Sequence, residues 1–112
     1  MSDTVSSQTL YDRLNITPEQ LKSVCQQWQL AELALFGSIL REDFTPQSDI
    51  DILVTYQPDA PRGLFAKLNL KEELEALLHR NVDLVSKNAI QQSRNWIRRN
   101  NILNSAEVIY VA

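Results

Sequence analysis

The stretch Asp49-Ile50-Asp51-Ile52-Leu53-Val54 constrains this chain more than any other. Its alternation predicts a strand, with Ile50, Ile52 and Val54 on one face and Asp49, Asp51 and Leu53 on the other. Asp49 and Asp51 then point the same way, with Cα atoms about 6.7 Å apart. At an effective dielectric of about 20, two like charges at that distance repel by about 2.5 kcal/mol. A half-buried strand gains nothing in folding from that repulsion. A divalent cation between the carboxylates reverses its sign, and such hard oxygen donors suit Mg²⁺ or Mn²⁺. On a solvated strand end the same pair is harmless, so the pair alone leaves both readings open.

Two other features converge on it. Asp83 lies in a second short apolar run, Val82-Asp83-Leu84-Val85, with its side chain directed away from those of Val82 and Leu84. If the two strands are neighbours, a third carboxylate reaches the same edge. Three carboxylates, two divalent cations and a triphosphate then complete a site that none of the parts occupies alone. Gly37-Ser38 follows a predicted strand over Ala31 to Phe36. Glycine lets the backbone approach an anion closely, and Ser38 adds a hydroxyl donor. A helical turn over Ile39 to Glu42 would aim its N–H groups at phosphate. Gly-Ser by itself is compatible with a simple turn. Its specificity comes from the ten residues that separate it from Asp49.

The remaining pattern predicts α/β or α+β architecture, with helices packed on one small sheet. Residues 1–16 read as a polar arm, with a weak helical signal over 10–16, and residues 17–112 as one domain. Thr17-Pro18-Glu19-Gln20 opens a helix by capping box and N1 proline, followed by an apolar stripe of Leu21, Val24, Cys25 and Trp28. A second helix is expected over Leu64 to His79, with Leu64, Leu68, Lys71, Leu74, Leu77 and Leu78 on or near one stripe. A third strand is expected at Asn81 to Val85, a helix over about 89–103, and a short fourth strand at Glu107 to Val111. Trp96 and Ile97 read as core or interface. The single cysteine, Cys25, excludes an internal disulfide and a thiolate metal cluster, and on the apolar stripe it reads as core. No apolar run approaches the ~18 residues of a membrane span, and no secretory signal is visible, so the expected compartment is the cytoplasm. With 11 Lys+Arg against 14 Asp+Glu, the chain is not one that holds nucleic acid by charge alone.

Gly37, Ser38, Asp49 and Asp51, with Asp83 as a later carboxylate, resemble the minimal nucleotidyltransferases of the DNA polymerase β superfamily. The resemblance spans about residues 18–111. Many members carry glycine directly after the arginine of this loop, where Glu42 stands here after Arg41. The resemblance implies a four- or five-stranded mixed sheet flanked by helices. It implies transfer of a nucleoside monophosphate from a triphosphate to an acceptor, with release of pyrophosphate. Gly37 and Ser38 would hold the triphosphate, Asp49, Asp51 and Asp83 two Mg²⁺ or Mn²⁺ ions, and Asp83 would help deprotonate the acceptor. Arg41 reads either as a neutraliser of phosphate charge or as a surface arginine paired with Asp43 or Glu42. Arg94, Arg98 and Arg99 read as a basic cluster on the last helix, either solvated or in contact with a partner or nucleotide. His79 reads as a helix-end residue.

A chain of this length is expected to hold the catalytic module alone, with the acceptor supplied by another polypeptide. Standalone modules of this size resemble the antitoxins paired with HEPN-domain ribonuclease toxins, which transfer AMP from ATP to a tyrosine of the toxin. The expected partner is therefore a HEPN-domain toxin, with ATP as substrate and Mg²⁺ as cofactor. A binding-only antitoxin and a nucleotidyltransferase for a small molecule or nucleic acid, with a separate acceptor subunit, are the alternatives.

Overall fold

A computed structural model describes residues 6–112. Four strands form one mixed sheet in the order β3-β2-β1-β4. Strand β1 (Leu30–Phe36) pairs antiparallel with β2 (Ile50–Tyr56) and with β4 (Glu107–Val111), while β3 (Val82–Ser86) runs parallel to β2. The parallel step needs a crossover, and α3 (Leu64–Leu78) supplies it. The mixed four-stranded sheet is the one expected from the sequence.

The period of two along each strand divides the core into two layers. Leu33, Leu35, Ile50, Ile52, Val54, Val82 and Leu84 bury one face beneath α1 (Ser7–Leu14), α2 (Pro18–Gln27) and α3. The other face is thinner. There Ala34, Phe36 and Leu53 pack with Ile90 of α4 (Lys87–Gln91) and Ile102 of α5 (Trp96–Ser105). Asp51 lies two residues before Leu53 and so belongs to this second face, at the start of β2.

The predicted start of α2 is realised in full. Thr17 Oγ1 accepts from the Gln20 amide and the Gln20 side chain accepts from the Thr17 amide. Leu21, Val24 and Cys25 are buried, and the Trp28 indole donates to Glu73 of α3. Burial pushes the Cys25 thiol up to about 12, so the cysteine is a packing residue.

Three sequence expectations change. First, the stretch read as a polar arm carries α1. Ser6 caps it by accepting from the Thr9 amide, and Leu10 and Leu14, four apart on one face, bury into the larger core. The packed unit therefore begins ahead of residue 17; residues 1–5 lie outside the described residues. Second, α3 faces the core through Leu70, Leu74 and Leu78, while Leu64 and Leu68 are exposed at 79% and 46%. Leucines on several sides of this helix make the inward face ambiguous in sequence. Third, the helix expected over about 89–103 is two helices. Ser86 caps α4 and Asn95 caps α5, and Arg94 lies in the link between them. Arg94 and Arg98 therefore do not share a helix face.

Truncating Leu14 to alanine should cost about 2–5 kcal/mol, as for other buried leucines. Urea denaturation followed by circular dichroism measures it. A midpoint equal to wild type would make α1 a dispensable arm.

Candidate active site

Strand β1 delivers the chain to Gly37, which adopts φ +77°, a conformation that favours glycine. The backbone then makes one 3-10 turn over Gly37–Leu40, closed by the Arg41 amide donating to the Ser38 carbonyl at 2.9 Å. The turn thus starts two residues earlier than the expected helical turn and ends where Arg41 becomes extended.

Antiparallel pairing sets Phe36 opposite Asp51, and parallel pairing sets Asp51 opposite Asp83. A Cβ added at Gly37 would overlap the Asp51 carboxylate oxygen Oδ2 and stand 3.0 Å from its Cγ. The Gly37 backbone thus lies directly against that carboxylate, and no side chain fits between them. Asp51 is half-buried, while Asp49 and Asp83 are exposed. Burial holds the Asp51 carboxyl above its ordinary value, Asp83 and Asp49 push it further up, and Arg41 and Arg98 pull it down. The structure therefore brings together all of Gly37, Asp49, Asp51 and Asp83, with Ser38 in the adjoining turn.

Among the described residues no three His, Cys, Asp or Glu are gathered into a ready-made metal cage. The carboxylates share one edge and one field rather than converging on a point. Their chemistry still fits a hard cation. The Asp51 carboxylate is partly desolvated and flanked by two further anions, a situation that a divalent ion with oxygen preference relieves.

Arg41 pairs with Asp43 at 3.2 Å, with both side chains exposed. Such a pair contributes little to stability and leaves the guanidinium available to a more strongly charged ligand. Arg98 was visible in the sequence only as part of a basic cluster. Its influence on Asp51 depends on α5 crossing the Asp51 face of the sheet, and no local pattern encodes that. Arg99 instead donates to the Ser93 carbonyl at 3.2 Å. His79 ends α3 in the left-handed region, at φ 55°. Together with Ser48, Asp49, Glu75 and Arg80 it lines an open polar hollow. Trp96 and Ile97 are exposed at 61% and 57% and are not core.

The Nucleotidyltransferase domain family matches residues 18–109 of this chain. The protein adenylyltransferase MntA of Thermococcus cleftensis is 35% identical over 83 residues, which cover 74% of this chain and 82% of that protein. A solved structure described as a minimal nucleotidyltransferase superposes with a TM-score of 0.64 at 29% identity, over 92% of this chain and 95% of that one. A chain from the complex of tri-AMPylated Shewanella oneidensis HEPN toxin with its MNT antitoxin superposes with a TM-score of 0.59. It is 19% identical over 88% of this chain and 73% of that one, so the likeness is one of fold.

The raised Asp51 carboxyl has a signed consequence for stability. Its contribution is fully present below the ordinary value of 3.8 and is lost as the pH rises through the higher folded value. Replacing Asp51 by asparagine should remove that loss. Urea midpoints of wild type and Asp51→Asn, measured from pH 3.5 to 7, should diverge as the pH rises, with the variant the more stable at pH 7. Parallel curves would mean that Asp51 is not electrostatically frustrated.

Proposed function

Because the chain belongs to the nucleotidyltransferase domain family, we propose that it transfers AMP from ATP to a tyrosine hydroxyl of a cognate HEPN-domain ribonuclease toxin and acts as its antitoxin. The observation that carries the reading is the in-register pair Asp51 and Asp83, with the Gly37 backbone packed against Asp51. The name of the Thermococcus cleftensis relative supports adenylyl transfer to protein. The AMPylated HEPN toxin in the Shewanella oneidensis complex supports the class of acceptor. Use of ATP fits the cytoplasmic compartment expected from the sequence.

Gly37 and Ser38 present backbone and hydroxyl donors to the triphosphate. Arg41, released from Asp43, offsets phosphate charge. Asp49, Asp51 and Asp83 would hold Mg²⁺. When bound, Mg²⁺ would neutralise the phosphates and polarise the P–O bonds. The tyrosine oxygen forms a bond to the α-phosphorus as the bond from that phosphorus to the β-phosphate oxygen breaks. Pyrophosphate leaves, and the phenolic proton passes to the carboxylate of Asp83, an exposed residue. Docking of the partner brings a weakly nucleophilic hydroxyl into line, so specificity resides in the protein–protein contact.

Intact-mass spectrometry of the HEPN partner after incubation with ATP and Mg²⁺ tests this directly. Wild type should add whole multiples of one AMP. Asp49→Asn/Asp51→Asn should still bind the partner and add none. Asp83→Ala should lower transfer by at least ~100-fold, a typical general-base contribution, with a thermal midpoint unchanged or raised. A stable complex without any mass increase from wild type would leave a binding-only antitoxin.

A further inference from the structure

Residues 41–49 join the Gly37-Ser38 turn to Asp49 with no helix or strand of their own. Most of them are exposed. A polar connection of this kind is ordinarily the most mobile part of a domain. Here it is held at both ends. Arg13, from α1, donates through Nη1 to the Ile39 and Arg41 carbonyls, each at 2.6 Å. Arg80, just ahead of β3, donates through Nη1 to the Thr45 and Ser48 carbonyls, each at 2.9 Å. Between the two anchors stands Phe44, the loop residue that packs onto the larger core. Its ring centroid lies 5.4 Å from the Arg13 guanidinium carbon and 4.5 Å from that of Arg80.

The end nearest Asp49 is tightened further. The Ser48 amide donates to the Thr45 carbonyl at 3.0 Å, and the Thr45 amide donates to Ser48 Oγ at 3.0 Å. Arg80 grips both carbonyls of this small turn. Directly after it, the Ile50 amide donates to the Asn81 carbonyl at 2.9 Å. The segment that leads into Asp83 is thus tied to the segment that leads into Asp49.

We propose that Arg13, Phe44 and Arg80 form a clamp that fixes Asp49 relative to the Gly37-Ser38 turn and to Asp83, and that they are positioning residues for nucleotidyl transfer. This rests on the nucleotidyltransferase reading above. None of the three needs to touch the nucleotide. Their effect is to hold a carboxylate and a phosphate-binding turn at one separation, and small misplacements of reacting groups are costly to rate. The chemistry requires arginine. A planar guanidinium stacks on an aromatic ring while its edge donates to two carbonyls. A lysine ammonium keeps the charge and a nitrogen donor but loses the planar stacking on Phe44.

The test compares wild type with Arg80→Ala, Arg80→Lys and Phe44→Leu, at a temperature where circular dichroism shows each variant folded. The readouts are kcat at saturating ATP with the HEPN partner as acceptor, and hydrogen exchange of the amides of residues 45–50. The clamp predicts that both Arg80 variants lose kcat by about tenfold or more and exchange faster over 45–50, with strand amides in β1 unchanged. Phe44→Leu, which keeps an apolar contact with the core, should move both readouts in the same direction. Millimolar guanidinium chloride, far below denaturing levels, should restore part of the rate to Arg80→Ala and none to Arg80→Lys. A kcat within twofold of wild type in folded Arg80→Ala, or full activity in Arg80→Lys, would overturn the proposal and reduce Arg80 to a stabilising surface charge. If wild type itself transfers nothing, the functional reading fails. The clamp is then judged on exchange alone, and unchanged protection of 45–50 in Arg80→Ala would overturn it.

Discussion

The parallel pairing of β2 with β3 sets Asp51 beside Asp83, and the rest of the molecule is arranged to hold that pairing. The opposite faces of the same strands carry Ile50, Ile52, Val54, Val82 and Leu84, all buried. A slip of one residue would turn Asp51 or Asp83 into that core and expose its isoleucines or leucines. Hydrophobic burial thus fixes the position of two charges that repel each other. The crossover helix α3 makes the parallel arrangement possible, and α1 and α2 cover the larger face so that the strands cannot shift. On the other face, α4 and α5 cover Ala34, Phe36 and Leu53 through Ile90 and Ile102.

Gly37 follows from the same constraint. Its backbone occupies the space beside the Asp51 carboxylate, at a positive φ. A side chain there would displace the very group that the register places. The site therefore depends on one missing Cβ and one strand register, and both are destabilised by the charge they bring together. Arg41 and Arg98 offset part of that charge without neutralising it. A fold that carries such frustration at one edge, and good packing elsewhere, has the form expected of a functional site.

Features encoded by local pattern were legible in the sequence. The Asp49–Asp51 alternation, the Gly37-Ser38 turn, Asp83 on its own apolar strand and the capping box at Thr17 all depend on residues within a few positions of one another. So does β4, which occupies Glu107–Val111 as expected. What the sequence left open depends on partners far along the chain. Leu10 and Leu14 offer only two apolar positions, and their burial requires the sheet to be in place. Leu70 replaces Leu64 and Leu68 as an inward residue of α3 because leucines occur around much of that helix. The break between α4 and α5 rests on Ser86 and Asn95 acting as caps, a role that short polar residues equally play in loops. Arg13 and Arg80 lie 26 residues or more from the carbonyls they hold, and no spacing rule links them.

If the carboxylate edge is held against its own repulsion for the sake of a cation and a nucleotide, ligand should invert the stability order of the charged and neutralised forms. Thermal unfolding of wild type and Asp51→Asn, each with and without Mg²⁺ and ATP, measures this most directly. Without ligand, Asp51→Asn should unfold at a higher temperature than wild type at pH 7. With saturating Mg²⁺ and ATP, wild type should become the more stable, since ligand that binds only the native state adds stability by mass action. An equal upward shift in both proteins, or none in wild type, would contradict the assignment of this edge as the nucleotide site.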